Sequence, residues 1–274
     1  MTNTYRWVQW NRHKRVYDAV IAAACALFLA VFVGVGLAVH RPPSELSAPI
    51  LLIRGLATLA VVLLHIILAI GPLARMDDRF APILYNRRHL GVIFFVIAAA
   101  HGLLATLFYG GFGVRNPASA VVAGYDSFAS ISGFPFEVLG LLALLIFFVM
   151  AATSHDFWLS VLGHRFWKTM HMLVYLAYGL VLGHIALGVL QSETNPVYAV
   201  LLFAGAATIA ALHGLAGVRE WRRDRSGVAA QGAWIDAGVI DEIEPGAARV
   251  VCVRGQERIA VFRAADDAVC AVSN

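Results

Sequence analysis

Six stretches of this chain are long and apolar enough to cross a lipid bilayer, and that feature limits its fold more than any other. Crossing about 30 Å of hydrocarbon takes roughly 20 residues of helix at 1.5 Å each. The spans lie near residues 17–39, 49–73, 89–109, 135–152, 169–190 and 197–217, the fourth being the shortest. The breaks between them carry their own punctuation. Arg41-Pro42-Pro43 closes the first, and Gly71-Pro72 with Arg75-Met76-Asp77-Asp78-Arg79 closes the second. Asn116-Pro117 interrupts a long polar loop, and Asn195-Pro196 opens the sixth span.

Composition agrees with this reading and excludes other classes. Of the 274 residues, 60% are apolar and only 14% charged, and the mean hydropathy is +0.74. Soluble domains run nearer about 45–50% apolar and about 25% charged. Disordered, collagen-like, disulfide-rich and ordinary soluble chains are thereby excluded. The net charge of +4 does not point to nucleic acid. The basic residues sit in short clusters between apolar runs, as membrane-flanking loops do. Cys25, Cys252 and Cys270 form neither a zinc box nor a disulfide framework. The apolar stretch from Val16 to Val39 is too long for a signal-peptide core and should remain in the mature protein.

Lys and Arg set the expected orientation. One side collects Arg6, Arg12, Lys14 and Arg15, then Arg75, Arg79, Arg87 and Arg88, then Arg165 and Lys168, then Arg219, Arg222, Arg223 and Arg225. The other side has Arg41, Arg115 and Arg54. This bias places both termini in the cytoplasm and supports an even number of spans. Three regions result: a cytoplasmic segment over 1–16, a six-helix bundle over 17–225 and a C-terminal segment over 226–274. The last alternates with period two through Arg249–Arg254 and Arg258–Arg263, with turns at Gly255-Gln256 and Ala265-Asp266-Asp267, then Ala268–Val272. Such runs read as antiparallel strands. About forty residues bury little core alone, so this looks like the start of a small β domain. The fold class is thus an all-α membrane protein, a six-helix bundle followed by a short, incomplete β segment.

Ten histidines in such a chain need an explanation, because ionisable side chains in hydrocarbon are costly and usually functional. His13, His40, His155 and His164 fall in loops or at interfaces, where solvation is the commoner role. His213 lies near the cytoplasmic end of the sixth span, where hydrogen bonding across helices accounts for it. His89 sits at a helix entrance, and His65, His101, His171 and His184 lie within apolar helices. His171 and His184 share one helix, thirteen residues apart, a rise of about 19.5 Å. That suits two ligands, one near each leaflet, on neighbouring faces of the helix. His101 stands at the level of His184. Two neutral imidazoles across a gap are what a six-coordinate b-type haem needs. A buried histidine bonded to backbone, Ser or Thr is the competing account. For three histidines at matched depths, haem is the stronger one.

These residues also carry a resemblance. Tyr85-Asn86-Arg87-Arg88-His89-Leu90-Gly91 followed by Ala100-His101, and Trp167-Lys168 with His171, Val174-Tyr175 and then His184, resemble the ferric-reductase-like transmembrane domain. The likeness spans about residues 50–215 and implies b-type haem and electron transfer across the membrane. It puts His101, His171 and His184 on ligand positions. The NADPH-oxidase branch of the family has a further histidine fourteen residues before His101, where this chain has Arg87. A cytoplasmic-side haem bound by His171 therefore needs another partner. His65 is the first choice and His89 the rival. Arg87 and Arg88 suit haem propionates, which guanidinium binds bidentately, and suit lipid phosphate equally. The tail, from Trp234 through Ile259–Arg263 to Val269–Asn274, is similar to the opening strands of a Rieske-type ferredoxin domain. That implies a [2Fe–2S] cluster only if a complete domain follows, since this chain has no Cys-x-His box.

The function expected is that of a membrane b-type cytochrome with one or two haems. It would pass electrons between a cytoplasmic partner, a Rieske-type iron–sulfur domain, and an acceptor on the far side. The location expected is a bacterial inner membrane. No Gly-x-Gly-x-x-Gly unit supports a built-in flavin or nicotinamide domain. The alternative is a transporter or proton pathway in which the histidines relay protons without haem. Its expected acidic residues at mid-depth are missing, since Glu137 and Asp156 lie near helix ends and Glu193 in a loop.

Overall fold

The computed structural model describes residues 12–39, 47–84, 86–114, 116, 119, 133–192, 195–229, 236–252, 258–264 and 266–273. Arg6, His40, Arg41, Pro42, Pro43, Tyr85, Arg115, Pro117, Glu193, Trp234, Gly255, Gln256 and Ala265 lie outside them. Each apolar run is a helix: α1 (Arg12–Val39), α2 (Ala48–Met76), the single turn α3 (Ala81–Leu84), α4 (Arg87–Tyr109) and α5 (Phe136–Ala152). Then come α6 (Asp156–Leu162), α7 (His164–His171), α8 (Leu173–Leu187), α9 (Val189–Ser192) and α10 (Pro196–Ala229). Five helical stretches reach crossing length by themselves, with α7 to α9 counting as one from Arg165 to Ser192. α5, at 17 residues, is the shorter apolar helix among them. The chain is an all-α membrane protein with a small sheet at its C-terminal end.

α2 is the centre of the bundle. Half of its most apolar window is buried, against 6% for α1, and it supplies Leu51, Ile53, Leu56, Leu63, Leu64 and Leu68 to the core. α4 adds Leu90, Phe94 and Ile97, α5 adds Ala143 and Phe147, and α8 adds Val174, Ala177 and Tyr178. Lipid is as apolar as leucine, so what holds these helices together is close packing rather than water exclusion. Phe94 meets Phe147 edge to face with ring centres 4.8 Å apart. Gly55 lets α1 approach α2, since a Cβ there would stand 3.0 Å from Phe32 and 3.4 Å from Leu29.

The second span passes through Gly71-Pro72 and closes within the Arg75–Arg79 cluster, as the sequence suggests. The helix runs through Pro72 to Met76 and closes where the Asp77 N–H bonds to Leu73 O at 2.9 Å. A proline inside a helix removes the hydrogen bond to the carbonyl four residues earlier, here that of Leu68. In hydrocarbon that carbonyl must find another donor. His213 of α10 supplies it, its Nε2–H reaching Leu68 O at 3.1 Å. The helix therefore continues, and a histidine in the sixth span has its structural reason.

The chain divides into two units, Met1–Arg219 and Glu220–Asn274. In the second, β1 (Ala248–Cys252), β2 (Arg258–Arg263) and β3 (Val269–Ser273) form an antiparallel sheet in the order β1-β2-β3. Val250 pairs with Ala260 and Val261 with Ala271. Arg263 ties the sheet to the segment before it. Its guanidinium donates to Asp267 at 2.9 Å and to the carbonyls of Ile240 and Ile243 at 3.3 and 3.1 Å.

Candidate functional site

The helices bring two histidines together at one end of the bundle. His101 stands in the last third of α4 and His184 in the last turn of α8, with ring centres 6.5 Å apart and planes at 75°. Each ring is fixed by a backbone carbonyl of a different helix. His101 Nδ1 lies 3.1 Å from Ile53 O in α2, and His184 Nδ1 lies 2.9 Å from Phe136 O at the start of α5. A carbonyl only accepts, so both Nδ1 atoms carry the proton and both Nε2 atoms keep the lone pair. Among the described residues neither Nε2 makes a hydrogen bond. This is the tautomer a metal-binding histidine adopts, with its outer nitrogen oriented by a carbonyl. Two imidazoles on one iron, through bonds of about 2 Å, hold their ring centres roughly 6 Å apart. The observed spacing fits a haem iron between them.

Close approach of α5 makes room for the second ring. A Cβ at Gly140 would stand 2.8 Å from His184 Nδ1 and 2.9 Å from its Cε1, so the imidazole lies directly on the α5 backbone. Phe136 flanks the same ring at 5.3 Å between centres. Ile53, Phe136 and Gly140 escape a reading of the sequence because two of them act through backbone atoms and the third through a missing side chain. No side-chain chemistry marks them.

The opposite end of the bundle gathers His171, Trp167, Arg87 and Arg88. His171 Nδ1–H donates to Trp167 O at 3.0 Å, and its ring stacks on the Trp167 indole with centres 3.8 Å apart and planes at 27°. Among the described residues His171 Nε2 is buried and makes no hydrogen bond. Arg88 lies over the same indole, its guanidinium carbon 5.1 Å from the ring centre. Arg87, half-buried, crosses to α2, where a Cβ on Gly71 would meet its Nη1 at 3.3 Å. Arg219 joins this end from α10 by donating to Met76 O at 2.6 Å.

His65 and His89 have other company. His65 Nδ1–H donates to Val61 O at 2.8 Å, and its Nε2 accepts from the Tyr178 hydroxyl at 3.0 Å. Its ring borders a groove of about 280 Å³ with Ile66, Ala69, Gly205, Thr208, Ile209 and Leu212, and meets the Tyr178 ring edge-on at 5.5 Å between centres. His89 Nδ1 pairs with the Asp18 carboxylate of α1 at 3.2 Å. His213, besides holding Leu68, accepts from the Tyr175 hydroxyl through Nδ1 at 3.3 Å. His155 caps α6 by accepting from Phe157 N–H at 3.1 Å.

Fold and site together define a helical membrane protein with a histidine pair held between two of its spans. The chain belongs to the family described as ferric reductase like transmembrane component, which residues 54–182 match. The match includes His65, His101 and His171 and stops two residues short of His184. Among curated relatives, the protein-methionine-sulfoxide reductase heme-binding subunit MsrQ of Ralstonia nicotianae is 32% identical over 180 residues. That alignment takes in 66% of this chain and 76% of the relative. MsrQ of Polaromonas naphthalenivorans is 30% identical over 133 residues, covering 48% of this chain and 56% of that protein.

Proposed function

We propose that the chain is a b-type cytochrome of a bacterial inner membrane, carrying electrons between a cytoplasmic redox partner and an acceptor on the far side. The observation that carries this reading is the His101–His184 pair, 6.5 Å between ring centres with both Nδ1 atoms committed to carbonyls. A haem held there supplies one-electron cycling of its iron between ferric and ferrous states. The protein's part is to present two neutral Nε2 lone pairs at fixed separation in an apolar, water-poor site.

A second haem, bound by His171 at the arginine-rich end, completes the route. The support is His171 Nε2, a buried acceptor with nothing to accept from, which is costly unless something bound there uses it. His65 is the proposed partner, and as a ligand it would exchange its Tyr178 hydrogen bond for iron. Arg87 and Arg88 stand at this end to pair with propionates. The Lys/Arg bias supports a cytoplasmic location for it and for both termini.

The relatives' name supports protein-bound methionine sulfoxide as the final acceptor, reached through a separate reductase subunit. The three-stranded C-terminal sheet, with its likeness to the opening of a Rieske-type domain, supports an iron–sulfur donor on the cytoplasmic side.

Absorption spectra of the purified protein, oxidised and dithionite-reduced, test the reading. Sharp low-spin b-type bands on reduction are expected, with one or two haems per chain by pyridine haemochrome. The competing proton-pathway reading draws on the His65–Tyr178 and His213–Tyr175 hydrogen bonds. A protein that folds in the membrane and carries no haem would decide for it.

A further inference from the structure

We propose that Trp167 is the positioning residue that presents His171 to its iron, an inference resting on the reading of His171 as a haem ligand. A histidine ring in a helix has two torsions to fix. The bond from Nδ1–H to the carbonyl four residues earlier fixes the tautomer and part of the orientation. His65, the partner ligand in that reading, makes the same bond to Val61 and meets the Tyr178 ring only edge-on, at 5.5 Å and 80°, so that bond by itself leaves the ring plane open.

What sets His171 apart is the indole. Trp167 lies against the imidazole at 3.8 Å and 27°, so the ring cannot rotate about its last torsion without leaving the stack. The indole is itself anchored. Its Nε1–H donates to Thr153 O at 2.9 Å, at the C-terminal end of α5. Arg88 of α4 lies over the same ring at 5.1 Å, within the range of a cation–π contact. The single side chain of Trp167 therefore references the His171 plane to α4, α5 and α7 at once. Among the described residues the remaining Nε2 is buried and makes no hydrogen bond, so the stack orients a nitrogen that keeps its lone pair. Ligand-plane orientation is a lever on the electronic state of a haem iron, so Trp167 should be visible in that state.

The experiment uses the full chain in detergent and compares low-temperature EPR spectra and redox titrations of the oxidised parent, Trp167→Phe, Trp167→Leu and His171→Ala. In Trp167→Phe the stack persists and the Thr153 bond is lost. A small shift in the g values and midpoint potential of the His171 haem is expected. In Trp167→Leu both are lost and the shift should be larger, while the signal of the His101–His184 haem stays at its parent position as an internal control of folding. If Trp167→Leu loses both signals through misfolding, Trp167→Phe decides by the same criterion. Parent-like signals from the His171 haem in every folded Trp167 variant would overturn the positioning role. His171→Ala separates the two claims. Loss of one haem signal there upholds His171 as a ligand, and retention of both overturns that reading and the role of Trp167 with it.

Discussion

At the scale of single residues, the candidate centre depends on contacts that are cheap to disturb. Gly140 is the clearest case. Any side chain there meets His184 Nδ1 at 2.8 Å, and the imidazole must leave either the glycine or its Phe136 carbonyl. Gly140→Ala should therefore lower occupancy of the His101–His184 haem and leave the other in place, read as loss of one component in the reduced spectrum. Overpacking of this kind costs about 1–3 kcal/mol, too little to unfold a membrane bundle outright. His65 and His89 are separated by a parallel comparison. With His65 as the second ligand, His65→Ala should halve the haem content and spare the far-side spectrum, whereas His89→Ala should lose only its hydrogen bond to Asp18. Exposed pairs are worth about 0–1 kcal/mol, and this one is about a quarter exposed on each side, so little change in stability is expected. Full haem in His65→Ala would remove it from the iron.

Helices fix what single residues cannot. α2 threads the middle of the bundle, carries Ile53 to one end and Leu68 with Pro72 to the other, and so is the frame on which both ends are built. Its continuity past Pro72 rests on His213. His213→Leu leaves the Leu68 carbonyl without a donor in an apolar surrounding, at a cost of about 1–3 kcal/mol. The expected result is a lower thermal midpoint in detergent with the spectrum of the His101–His184 site unchanged, since the His213 hydrogen bonds go to Leu68 and Tyr175. A stability equal to the parent would show that another donor reaches Leu68. Gly188, where α8 stops, has its N–H on His184 O at 3.1 Å. The helix thus breaks just beyond His184 rather than through it.

At the scale of the membrane unit, Arg87, Arg88 and Arg219 gather with Trp167 and His171 away from the His101–His184 end. If the arginine-rich end is cytoplasmic, reporter fusions after Gly227 and within the Arg115–Phe134 loop should report opposite sides of the membrane. The same side for both would refute the crossing number. Spans and charge bias were legible in the sequence because hydropathy is a local property: twenty apolar residues in a row can satisfy their backbone in lipid in essentially one way. Depth was legible too, since a helix converts residue count into height at a fixed rise. Azimuth was not. α5 and α8 are apolar all round and present no polar face to tell inside from outside. Nothing in the order of residues says that His65 turns to Tyr178, that Asp18 meets His89, or that Trp167 lies flat on His171. Those partners depend on which helices pack and how each is rotated, and in a bilayer that is settled by shape, by where Gly55 and Gly140 admit a neighbour, and by which carbonyl needs a donor. The sequence alone determined a membrane bundle with histidines at two depths. Only the tertiary structure decided which of them face one another and what holds each ring in place, because rotation about a uniformly apolar helix leaves no trace in its residue pattern.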